Sequence, residues 1–67
     1  MNLLQYNNKR VRVIDIDGKE YVGMAYYEGA INFDEKEDSL TIKLDDDKKY
    51  TYFGLYESEI KSVEVIK

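Results

Sequence analysis

Two residue types are missing outright from this chain of 67 residues: it contains no cysteine and no histidine. Without cysteine there is neither a disulfide framework nor a thiolate metal site to stabilise so short a chain. Without histidine, Ser-His and Cys-His nucleophiles and His-rich zinc sites are excluded. Long apolar runs are lacking as well, and the opening stretch MNLLQYNNKR has no extended apolar core followed by a small-residue cleavage site. Neither a signal peptide nor a membrane span is therefore expected, and the cytoplasm is the expected compartment.

A basic excess is also missing. Residues 1–33 balance Lys9, Arg10, Arg12 and Lys19 against Asp15, Asp17, Glu20 and Glu28, whereas residues 34–67 hold ten acids and six lysines, giving a net charge of −4. Proteins that hold nucleic acid mainly through phosphate contacts carry the opposite balance, so generic coating of DNA or RNA is disfavoured. Recognition of RNA by a few side chains survives that argument. Length sets a further bound: one domain, 1–67, burying only about 60% of the surface its unfolded form exposes. Efficient packing and self-association are the remaining sources of stability.

What the chain has in plenty is strand pattern. Residues 10–27, RVRVIDIDGKEYVGMAYY, read as a hairpin around Asp17-Gly18, because Gly18 can adopt a positive φ between two runs rich in Val, Ile and Tyr. Val11 and Val13 share one face of the first strand and Arg10 and Arg12 the other. The phase then slips, with Ile14 and Ile16 following the arginine face, which predicts a β-bulge or partial cover of both faces near the turn. Gly23 inside the second strand predicts a bend or a close backbone approach.

Leu40, Ile42 and Leu44 alternate with Thr41 and Lys43 as a half-buried third strand. Thr51, Phe53 and Leu55 alternate with Tyr50, Tyr52, Gly54 and Tyr56 as a fourth. Glu57-Ser58-Glu59-Ile60 suits one 3₁₀ turn, and a fifth strand closes the chain with Val63 and Val65 inward. Met1–Asn8 is expected to form a short helical turn. The fold class is all-β: a small, five-stranded, strongly bent barrel of the SH3-like kind, with a 3₁₀ turn before the last strand.

Within that class the residues resemble the Sm-like (LSm) family. The resemblance rests on Val11-x-Val13 leading into Asp17-Gly18, on Gly23, on the series Tyr27-Glu28-Gly29-Ala30-Ile31-Asn32, which is similar to the first Sm motif, and on Glu59-Ile60-Lys61-Ser62-Val63 as the final turn and strand. Where the second motif of the family would place a basic residue followed by glycine, Phe53-Gly54 and Tyr56-Glu57 stand instead. The resemblance implies an Sm-like barrel that self-assembles, and a loop around Asn32 that lines an RNA pocket.

The candidate residues follow from chemistry and from that resemblance. Ser58 and Lys61 have the S-x-x-K spacing of acyl-transfer enzymes but none of the partner motifs, so a capped surface turn is expected. Asp15 and Asp17 read as hairpin residues, and the runs 34–38 and 45–47 as solvated loop tips that lack the pattern of a calcium loop. Seven tyrosines are the stronger signal. Tyr50, Tyr52 and Tyr56 would face outward if Phe53 and Leu55 face in, offering rings to a protein partner or a second copy. For RNA the candidates are Asn32, Phe33 and Tyr56 at bases and Lys9, Arg10 and Arg12 at phosphates. The expected function is a non-catalytic interaction module, a homo-oligomer or protein-binding domain, with RNA binding as the alternative. No metal, cofactor, membrane or small-molecule substrate is expected.

Overall fold

The hairpin forms around a turn that its own strand holds shut. In the computed structural model, which describes residues 1–45 and 51–66, strand β1 (Lys9–Asp15) pairs antiparallel with β2 (Glu20–Glu28), Val11 opposite Gly23 and Val13 opposite Tyr21. Gly18 takes φ 86°, the left-handed conformation that glycine adopts without a Cβ clash. The Asp15 carboxylate accepts hydrogen bonds from the backbone N–H of Asp17 (2.9 Å) and Lys19 (2.8 Å) through Oδ1, and from the Tyr21 hydroxyl (3.0 Å) through Oδ2.

Strand β3 (Ser39–Leu44) continues from β2, β4 (Tyr52–Tyr56) from β3, and β5 (Ile60–Val65) lies on the far side of β1. The result is one antiparallel sheet in the order β4-β3-β2-β1-β5. The phase slip in β1 is a register shift between Ile14 and Asp15 against β5. At Gly23 the approach is close: a Cβ built there would lie 1.8 Å from the Lys43 carbonyl oxygen. No residue with a side chain fits without parting β2 from β3.

The inner face carries the core: Val11, Val13, Tyr21, Ala25, Leu40, Ile42, Leu55 and Ile60, joined by Leu3. Burying each of the larger aliphatic side chains is worth roughly 1.5–3 kcal/mol. Leu3 comes from a 3₁₀ turn, Leu3–Tyr6, which is anchored rather than loose. Asn2 Oδ1 accepts from Leu4 N–H, Asn7 Oδ1 accepts from Tyr27 N–H at 2.8 Å, and Asn8 N–H donates to the Ala25 carbonyl.

A second 3₁₀ turn, Ile31–Phe33, forms in the loop around Asn32, and a third, Glu57–Glu59, joins β4 to β5 as expected. Leu55 and Ile60, on either side of that last turn, belong to the same core cluster although β4 and β5 are the two ends of the sheet, so the sheet curls around its core. Among the described residues no ladder joins β4 to β5. Val63 is half-buried, while Val65, which continues the inner face, is 50% exposed at the end of β5. Among the described residues no helix is long and apolar enough to cross a membrane.

Candidate functional site: the outer face and edge of β4

The alternation of β4 puts Phe53 and Leu55 toward the core and leaves Tyr52, Gly54 and Tyr56 on the outer face. Phe53 packs its ring 5.3 Å from that of Tyr21. Register with β3 sets Tyr52 opposite Lys43, Gly54 opposite Thr41 and Tyr56 opposite Ser39. Register with β2 extends these rows to Met24, Tyr26 and Glu28. A glycine in the middle row leaves a gap between two tyrosines. A Cβ built on Gly54 would touch only the Thr41 hydroxyl, at 3.9 Å.

That gap opens a groove of about 300 Å³ lined by Glu28, Glu35, Ser39, Thr41, Gly54 and Tyr56. The Tyr56 hydroxyl donates to Glu35 Oε2 at 3.1 Å, and the Thr41 hydroxyl lies 3.4 Å from Glu28 Oε1. The bond to Glu35, together with the negative charge it carries, pushes the Tyr56 phenol above the ordinary tyrosine range. The groove therefore offers hydrogen-bond acceptors beside an aromatic ring.

Its acidic wall is more ordered than a solvated loop tip. Glu37 accepts from Ser58 N–H at 2.7 Å and from the Ser58 hydroxyl at 3.0 Å. Asp38 accepts from Ala30 N–H at 2.8 Å and holds the Tyr27 hydroxyl, which raises the Tyr27 pKa. The loop folds back on the third 3₁₀ turn, and its carboxylates replace water as acceptors there. Ser58 is thus tied to Glu37 on the exposed third 3₁₀ turn. Among the described residues no three carboxylates converge on a possible metal position.

Backbone direction adds a second feature. Leu44 N–H donates to the Thr51 carbonyl and Glu57 N–H to the Asp38 carbonyl. In an antiparallel ladder hydrogen-bonded pairs alternate with non-bonded ones, so Phe53 and Leu55 bond toward β3. The N–H and C=O groups of Tyr52 and Gly54 then point away from the sheet, along its edge. The N–H of Tyr56 points the same way but is taken by Glu59 Oε1 at 2.9 Å. Tyr52 is 55% exposed and Tyr56 40%. Tyr50, the third member of the expected face, lies outside the described residues.

The residues considered for RNA are not gathered in one place. Arg10 and Arg12 lie on the outer face of β1, opposite Met24 and Val22. Arg10 binds Asp45, and Arg12 lies 3.3 Å from Glu20 and 3.8 Å from Glu64. Lys9 is exposed at the start of β1, opposite Ala25. Asn32 is exposed in the second 3₁₀ turn, beyond the end of β2, and Phe33 ends that turn, its side chain outside the described set. Four residues of β2, roughly 13 Å at strand rise, separate the Arg10 row from the end of that strand.

Sequence reasoning marked the tyrosines but missed Glu28, Glu35, Ser39 and Thr41 as their neighbours. Gly54 between two tyrosines was the available signal; the register that sets Thr41 beside it was not. No family model, no curated protein and no solved structure matches this chain.

Proposed function

We propose that this protein is a non-catalytic interaction module, an Sm-like small β-fold that self-associates or docks a protein partner through its strand edges and its exposed tyrosines. The observation that carries this reading is the outer edge of β4. There the backbone groups of Tyr52 and Gly54 face away from β3, and Tyr52 and Tyr56 flank a gap on the adjoining face. Such an edge is a template for another strand, and a short strand with exposed rings supplies both backbone pairing and side-chain selectivity. The strand order leaves β4 and β5 at the two ends of the sheet, where an added strand could pair.

RNA binding, the alternative, draws less support, because Arg10 and Arg12 already have carboxylate partners and Asn32 stands apart from them. Salt-sensitive binding to short oligoribonucleotides would reinstate it. The direct test of the favoured reading is Tyr52→Ala, with the fold checked by circular dichroism. The expected result is a loss of self-association or of partner capture in a pull-down; a variant unchanged in both would overturn the proposal.

A further inference from the structure

The groove beside Gly54 specifies the chemistry of what it would hold. We infer that it seats the guanidinium of an arginine side chain presented by a partner protein, between the Glu28 and Glu35 carboxylates and against the Tyr56 ring. This rests on the interaction-module reading and deepens it by naming what the partner must carry.

Shape gives the first step. On the outer face Tyr56, Ser39 and Glu28 form one cross-strand row, and Gly54, Thr41 and Tyr26 the next. Tyr52 and Tyr56 stand on either side of Gly54, roughly 13 Å apart at strand rise. The missing side chain between them opens the groove. Its volume of about 300 Å³ falls at the low end of ligand pockets, which run from about 300 to 1,000 Å³. That is room for one long side chain.

Charge narrows the choice. Two of the six lining residues are carboxylates, one from β2 and one from the loop before β3, and none is basic. Glu35 spends Oε2 on the Tyr56 hydroxyl, and Glu28 Oε1 lies 3.4 Å from the Thr41 hydroxyl, longer than an ordinary O–H···O bond. Among the described residues neither carboxylate has a basic partner, since the ion pairs there use Glu20, Asp45, Glu57 and Glu64. The neighbouring Glu37 and Asp38 take backbone N–H donors, which leave their negative charge uncompensated. Such a groove attracts a cation and repels phosphate, so a nucleic-acid backbone is not its ligand.

Of the two cationic side chains, arginine fits better. A guanidinium is planar, carries five N–H donors in a fixed fork and stacks on aromatic faces, so one group can meet two carboxylates and a ring together. An ammonium is a compact, strongly hydrated point charge, and an open groove strips little of that water. The bond from the Tyr56 hydroxyl to Glu35 presents ring and carboxylate as a unit. This chain's own Arg10 is engaged by Asp45, and Arg12 by Glu20 and Glu64, so the arginine comes from a different protein. Because the groove is open to water, the contact is weak and salt-sensitive by itself and serves to select among partners.

The probe is a capped tripeptide, acetyl-Gly-Arg-Gly-amide, titrated into isotope-labelled protein and followed by amide and aromatic spectra. Saturable shifts are expected at Gly54, Thr41 and Tyr56, weakening as salt is raised. The lysine counterpart is expected to bind several-fold more weakly, and the citrulline counterpart, neutral but of the same shape, to move none of these signals. Glu28→Gln and Glu35→Gln should each weaken the arginine peptide several-fold. Gly54→Val fills the seat while sparing the fold: its Cβ would meet only the Thr41 hydroxyl at 3.9 Å, and a β-branched residue suits a strand. This variant should keep the circular dichroism of the unmodified chain and lose the shifts at Thr41 and Tyr56. Equal binding of the citrulline peptide would overturn the role of charge, and equal binding of the lysine peptide the choice of arginine. Shifts that persist in Gly54→Val would overturn the seat itself. So would the absence of any saturable shift with the arginine peptide, and the interaction module would then stand or fall on Tyr52→Ala alone.

Discussion

Two tyrosine–carboxylate pairs in this protein use the same chemistry for different ends. At the β1–β2 turn, Tyr21 donates to Asp15, whose other oxygen takes two backbone N–H groups, and Asp15 as a residue is only 7% exposed. At the edge of β4, Tyr56 donates to Glu35 in an open groove, and both residues are exposed. A carboxylate with three donors and little water is structural, because removing it strands its partners. One with a single donor in water can exchange it for another ligand at little cost. The comparison teaches that the Asp15 carboxylate locks its turn, whereas the Glu35 carboxylate holds a single phenol in the open groove.

The sharpest way to break that comparison is to remove both carboxylates in turn. Asp15→Ala leaves the Tyr21 hydroxyl and the N–H groups of Asp17 and Lys19 without their acceptor, and is expected to lower Tm several-fold more than Glu35→Ala, measured by thermal circular dichroism. Acid should act next most strongly. The N–H of Lys19 above all, helped by the Tyr21 hydroxyl and the N–H of Asp17 and opposed by burial, holds the Asp15 carboxyl below its ordinary range. A carboxylate whose pKa is lower in the folded than in the unfolded chain contributes stability above about pH 4, and that contribution is lost as pH falls toward its folded value. Tm should therefore fall on acidification below about pH 4, with a shallower fall in Asp15→Asn.

Tyr21→Phe, which removes one donor while keeping the ring against Phe53, should destabilise by about 1 kcal/mol in chemical denaturation. Tyr56→Phe marks the small end of the scale, with no measurable change in Tm. Its effect lies in the alkaline titration. Tyr56, Tyr27 and Tyr21 all have phenols raised above the usual value, by the bond to Glu35, by the bond to Asp38 and by burial respectively. Phenols raised in the folded state stabilise fully below about pH 10, and that stabilisation fades as pH rises through the folded values. Tyr56→Phe should remove one late-ionising tyrosine from the ultraviolet titration.

The same contrast separates what could be read in the sequence from what could not. The Asp17-Gly18 turn, the bulge after Ile14, the close approach at Gly23 and the inward Leu40, Ile42, Phe53 and Leu55 are local signals, written as spacing along one strand. The order of elements followed from them. Asp15 looked like one turn residue among others, because its three donors come to it only when the turn has closed. Glu35, Glu37 and Asp38 looked solvated because their donors, on Tyr56, Ser58 and Ala30, are 21, 21 and 8 residues distant. The groove is likewise a product of register: Gly54 between tyrosines is visible in sequence, but Thr41 and Glu28 become its neighbours only through two strand pairings.

The claim that the edge of β4 is available for association is tested most directly by native mass in solution across protein concentration, comparing the unmodified chain with Tyr52→Ala. The account predicts a mass that rises with concentration above 7.9 kDa, and a Tyr52→Ala variant that stays at 7.9 kDa over the same range. A mass of 7.9 kDa at every concentration for both chains would contradict self-association through β4.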